Sequence, residues 1–180
     1  MQTLIVYYSL TGKTRSVVTS MAHSLSADVA EIRPIVGSSR LRAYTVGLLR
    51  AMAHHSTDIL PVEADVSAYD CIIVAGPVWS GNPAPALYDF IREYDLAGRQ
   101  TYGLLTCAKE GKRAAKVLRG ELEKTGATCR SVISVRTVAQ TLEALKNQRM
   151  SFVYNEEGKI VLRASSELEA EQKESPSEEE

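Results

Sequence analysis

Leu4-Ile5-Val6-Tyr7-Tyr8, running directly into Ser9-Leu10-Thr11-Gly12-Lys13-Thr14, is the stretch on which the fold turns. Its first five residues are apolar or aromatic strand formers, the composition of a short strand covered on both faces. The next six are rich in hydroxyls and carry a glycine. Beyond them Val17, Val18, Met21, Ala22 and Leu25 recur at three- and four-residue spacing, which predicts a helix with one buried face. Strand, turn and helix in that order open a βαβ unit. In such a unit the turn lies at a strand's carboxyl end, where the helix presents unpaired N–H groups and a dipole that favours an anion. Ser9, Thr11 and Thr14 add hydroxyl donors for a phosphate, Lys13 stands among them, and Gly12 lets the backbone approach closely. Two other phosphate loops fail on spacing. A nucleoside-triphosphate loop ending in Gly12-Lys13-Thr14 would need its leading glycine where Tyr7 stands, and a dinucleotide fingerprint needs three glycines where only Gly12 is present.

Outward from this turn the alternation continues. Val29 to Val36 supplies a second strand, and Leu41, Tyr44, Leu48, Leu49 and Met52 mark a crossover helix within residues 38–56. Asp70 to Gly76 reads as a central strand that Pro77 should stop. Helices follow from Pro83 to Tyr94 and from Lys112 to Lys124, the latter with Gly126 as its stop signal. Gln100 to Thr106 and Thr128 to Val135 are further strands, and a helical pattern runs on through Leu142 and Leu145. Five strands alternating with helices predict an α/β fold, a doubly wound five-stranded parallel sheet. Phe152-Val153-Tyr154 and Ile160-Val161-Leu162, around Asn155 to Gly158, predict a small C-terminal hairpin. The expected division is one domain over 1–150, the hairpin over 151–164 and an acidic disordered tail over 165–180.

Composition supports one globular core: 180 residues, 44% hydrophobic and 24% charged. The net charge of -1 hides an asymmetry, because residues 167–180 hold seven Glu and one Lys, leaving +5 on the body. That excess is too small for a nucleic-acid surface. No apolar run approaches the roughly 18 residues of a membrane span, and no basic leader precedes the first strand, so a cytoplasmic protein is expected. Three cysteines without paired spacing agree with a reducing compartment, and Cys71 and Cys129 read as inert core thiols. His23, His54 and His55 read as surface or cap residues, and no cluster has metal-ligand spacing. Cys107 and Arg113 match two positions of a nucleophilic phosphate loop, but the hydroxyl that should follow the arginine is Ala114.

Ser9-Leu10-Thr11-Gly12-Lys13-Thr14 resembles the phosphate loop of the flavodoxin-like family: Thr or Ser, any residue, Thr, Gly, any residue, Thr. Ala75-Gly76-Pro77-Val78-Trp79-Ser80-Gly81-Asn82-Pro83 is similar to the second flavin loop of its short-chain members, as is the preceding Tyr69-Asp70-Cys71-Ile72-Ile73. The resemblance implies FMN as cofactor. Ser9, Thr11, Gly12, Lys13 and Thr14 would then hold its phosphate, and Pro77, Val78, Trp79, Ser80 and Gly81 would lie beside its ring. Thr106, Cys107, Ala108, Lys109 and Gly111 stand where the family's third loop meets the flavin's pyrimidine edge. Two features depart from the family's electron carriers: the third loop has no aromatic residue, and the body is not acidic. Electron transfer with a redox partner protein or small acceptor is the expected function. An FMN-dependent NAD(P)H:quinone or small-acceptor oxidoreductase is the alternative, because an open ring face admits a nicotinamide or quinone. Lys109 and Arg113 would steer an anionic partner or sit as solvated helix-end charges. A homodimer would complete such a site with a neighbouring surface.

Overall fold

The computed structural model describes residues 2–35, 59–108, 111–136, 150–154 and 160–164. In its first strand, β1 (Thr3–Tyr7), Leu4 and Val6 enter one core while Ile5 and Tyr7 enter another. That period of two is what burial on both faces demands of a strand. There follow α1 (Lys13–Leu25), β2 (Asp28–Glu31), β3 (Cys71–Trp79), β4 (Asn82–Pro83), α2 (Pro85–Glu93), β5 (Gln100–Thr106), α3 (Lys112–Lys124) and β6 (Thr128–Val135). The sheet order is β2-β1-β3-β5-β6, with every neighbour parallel; β4 folds back antiparallel onto β3, off that path. The expected doubly wound parallel sheet is present. So is the small hairpin, with β7 (Met150–Tyr154) antiparallel to β8 (Ile160–Ala164).

Both faces of the sheet are covered. The α1 residues Val17, Val18, Met21 and Leu25 pack with Ile5, Ile73, Leu104 and Ile133. On the other face Leu87 and Phe90 of α2, with Leu118 and Leu122 of α3, pack with Leu4, Ile72, Val74 and Leu105. Each such side chain contributes roughly 1.5–3 kcal/mol on burial. Together they fix where each helix begins, and hence where the loops at the strand ends stand.

Three expectations are corrected. The second strand ends at Glu31 rather than Val36, since β1 offers partners only as far as Tyr7, opposite Glu31. Pro34 has no N–H to extend the ladder and makes instead an isolated antiparallel bridge to Ile59. The central strand does not stop at Pro77 but runs to Trp79. Its β1 ladder has already ended, with Tyr8 N–H donating to the Ala75 carbonyl at 2.9 Å. Alternation turns the Pro77 nitrogen to that same vacated side, so no bond is lost. Finally, the helix expected from Pro83 begins at Pro85, because Asn82 and Pro83 pair with Trp79 and Val78. Pro85 is the first helical residue, where a missing N–H does no harm.

The 38–56 pattern with His54 and His55, residues Lys109 and Glu110, the pattern through Leu142 and Leu145, and the acidic 165–180 segment lie outside the described residues. His23 is exposed on α1. Cys71 is fully buried, and burial pushes its thiol up to about 12; Cys129 is buried and shifted upward for the same reason. Among the described residues no helix is long and apolar enough to cross a membrane, and no metal-ligating group is found.

Candidate cofactor site

The loops after β1, β3 and β5 meet at the carboxyl edge of the sheet. In the first, Gly12 occupies the cap position of α1 with φ 88°, a left-handed conformation that costs a residue bearing Cβ about 1–2 kcal/mol. A glycine cannot cap with a side chain, and Ser9 supplies the missing acceptor: its Oγ receives the Arg15 N–H at 3.2 Å. The N–H groups of Thr11, Gly12, Lys13 and Thr14 have no acceptor among the described residues. They form the donor end of the helix, suited to an anion. Arg15 is engaged elsewhere, with Nε donating to the Tyr7 hydroxyl at 3.2 Å and its guanidinium to Glu31 at 2.5 Å.

Thr14 does not simply face outward. Its Oγ1 lies 2.8 Å from that of Thr106, with both residues buried. One proton serves that bond, and the other hydroxyl keeps its own to donate.

The second loop is a hairpin. Trp79 pairs with Asn82, and the two residues between them both have positive φ: Ser80 at 48° and Gly81 at 77°. Those values make a two-residue type I′ turn, the form that matches the twist of its strands. The turn holds Trp79 edge-on to Tyr8, with ring centroids 5.7 Å apart at 80°. Burial raises the Tyr8 phenol to about 12.

In the third loop the Cys107 N–H donates to the Val135 carbonyl at 3.0 Å, and the thiol points to the same oxygen at 3.9 Å. Burial pushes this thiol up, and the charge of Arg136 pulls it the other way by less. A neutral thiol lacks the activation that a nucleophilic phosphate loop requires. Gly111 caps α3 at a close approach, since a Cβ there would stand 2.4 Å from Ser134 Oγ.

Between the loops lies a cleft of about 230 Å³. Leu10, Thr11, Lys13, Thr14 and Val17 line one side; Pro77, Val78 and Trp79 another; Thr106, Cys107 and Ala108 the third; and Arg136 closes the set. Among the described residues that line it there are two cations and no carboxylate. N–H and hydroxyl donors at one end, with an aromatic and apolar wall beside them, fit a flat ring that carries a phosphate.

No family model and no curated protein sequence matches the chain. Solved structures do. A flavoprotein of Lactobacillus acidophilus NCFM, in complex with FMN, is 20% identical with a TM-score of 0.64, covering 81% of this chain and 98% of that one. Megasphaera elsdenii flavodoxin in its two-electron reduced form is 17% identical with a TM-score of 0.55, covering 82% and 95%. Flavodoxin 2 of Bacillus cereus, oxidised, is 18% identical with a TM-score of 0.53, covering 82% and 92%.

The chain has the flavodoxin-like fold.

Within this flavodoxin-like fold the residues singled out in the sequence divide by position. Thr11, Lys13, Thr14, Pro77, Val78, Trp79, Thr106, Cys107 and Ala108 line the cleft. Ser9, Gly12, Ser80, Gly81 and Gly111 shape the backbone around it, as cap, left-handed joint, turn and close approach. Lys109 lies outside the described residues. The motifs missed Leu10, Val17 and Arg136. Val17 was legible only as part of the α1 stripe. Arg136 had one signal: it is the first residue after the last strand of the parallel sheet.

Proposed function

We propose that this chain is an FMN-binding redox protein of the cytoplasm that mediates electron transfer. The supporting observation is the junction of the α1 amino terminus with the Thr14–Thr106 hydroxyl pair, opening onto the cleft walled by Val78 and Trp79. The first group of donors suits a phosphate and the second surface suits a ring. Bound FMN supplies a centre that accepts one or two electrons. The chain's own residues bind, orient and shield it: Thr11 and Lys13 at the phosphate, Val78 and Trp79 along the ring, and the third-loop backbone at its polar edge.

The test is a direct titration of the purified protein with FMN and riboflavin. Phosphate recognition requires clearly tighter binding of FMN, and equal affinities would refute the arrangement.

A second reading, an FMN-dependent NAD(P)H:quinone or small-acceptor oxidoreductase, rests on one feature. Ala108 is exposed at the cleft and residues 106–111 contain no aromatic, so a second planar molecule has room to stack. Anaerobic stopped-flow spectroscopy separates the two. Rapid two-electron bleaching by NADH or NADPH, followed by quinone-dependent reoxidation, supports the enzyme. Inertness toward both nicotinamides, with a stable one-electron form and rapid exchange with a protein reductase, supports the carrier.

A further inference from the structure

Arg136 is the charged cleft residue, among those described, to which no motif gives a role. It directly follows Val135, which stands in register with Thr106. Thr106 in turn meets Thr14 at 2.8 Å. Adjacent strands are separated by about 4.8 Å, so Arg136, which lines the cleft, stands one strand away from Thr106 of the hydroxyl pair. The Cys107 N–H, bonded to the Val135 carbonyl at 3.0 Å, ties this corner of β6 to the third loop. The influence of the Arg136 charge on the Cys107 thiol agrees with that placement. Of the other nearby cations, Arg15 is not among the cleft residues.

We propose that Arg136 is a phosphate-binding residue of this cleft and, with Lys13, makes it select a flavin phosphomonoester over the dephosphorylated flavin. This rests on the FMN reading above and adds the residue that sets its specificity. A phosphomonoester carries close to two negative charges at pH 7 and three acceptor oxygens. The N–H groups at the start of α1 approach from one side only. A guanidinium from the β6 end of the cleft would meet oxygens they leave uncovered, and its planar fork binds two at once.

Calorimetric titration of the full chain with FMN and with riboflavin, for wild type, Arg136→Ala and Arg136→Lys, tests the assignment. Arg136→Ala should weaken FMN binding by about tenfold or more, the worth of a charge-assisted contact, with riboflavin affinity unchanged. Arg136→Lys should recover part of the loss. An equal loss for both ligands would make Arg136 structural and overturn the proposal, as would no loss for either. A wild type that binds both flavins alike overturns the selectivity assigned to Arg136, and one that binds neither overturns the cofactor reading and this assignment with it. Circular dichroism checks the fold of Arg136→Ala. Should that variant not fold, the phosphorus resonance of FMN bound to wild type decides: its second ionisation should fall well below that of free FMN, and an unmoved value would overturn the assignment.

Discussion

Thr14 and Thr106, 92 residues apart in the chain, hold their hydroxyl oxygens 2.8 Å from each other in a buried contact between α1 and the end of β5. The bond joins the loop after β1, through the start of α1, to the end of β5. Removing one partner strands the other: Thr14→Val or Thr106→Val should cost about 1–3 kcal/mol in denaturant unfolding, because a buried hydroxyl is left unsatisfied. The double substitution should recover much of that loss, as two apolar groups of the same shape replace the pair. FMN affinity should not recover with it. A double variant that regains both would deny the hydroxyls any part in binding.

Trp79 offers a spectroscopic handle, being the only tryptophan of the chain. If it walls the ring site, added FMN should quench its emission. Trp79→Ala should weaken FMN binding by about 1–3 kcal/mol, the range of aromatic contacts with flat ligands. Trp79→Phe should lose less. Unchanged affinity in both variants would return Trp79 to a packing role, edge-on to Tyr8.

Gly111 should tolerate no side chain. A Cβ would meet Ser134 Oγ at 2.4 Å and Ser134 Cβ at 2.7 Å, so Gly111→Ala should destabilise by about 1–3 kcal/mol through overpacking. Adding Ser134→Gly removes the clash and should restore much of the stability, as read from thermal unfolding.

Alkaline pH supplies another test. The folded-state pKa of Tyr8 is raised by burial from 10.0 to about 12, so the unfolded chain loses this proton first. Its contribution is therefore complete below pH 10 and disappears as pH rises toward 12, with a slope of up to about 1.4 kcal/mol per pH unit. Tyr8→Phe keeps the ring against Trp79 but has nothing to titrate. Unfolding midpoints measured from pH 9 to 12 should fall less steeply for Tyr8→Phe than for wild type. Parallel slopes would show that the phenol does not titrate differently on folding.

The parallel sheet was legible because its signals are local. The apolar run Leu4 to Tyr8 and the stripe Val17, Val18, Met21 and Leu25 each carry their own period, and the hydroxyl turn between them has a fixed place in a βαβ unit. Errors arose where a residue's meaning depends on its neighbour in space. Pro77 reads as a strand breaker until the β1 ladder is seen to end two residues earlier. Pro83 reads as the start of a helix until it is seen to pair with Val78. The site shows the same division: its loops could be found from spacing, whereas Arg136 belongs to it only because β6 lies beside β5.

The passage of β3 through Pro77 has a kinetic meaning. The hairpin bearing Val78 and Trp79 is a prolongation of the sheet's middle strand, so its backbone shares the sheet's resistance to local opening. Amide exchange at Asn82 and Ala84 should accordingly be slow, nearer that of a core strand than of a surface loop. An incoming ring would thus settle against a fixed anvil.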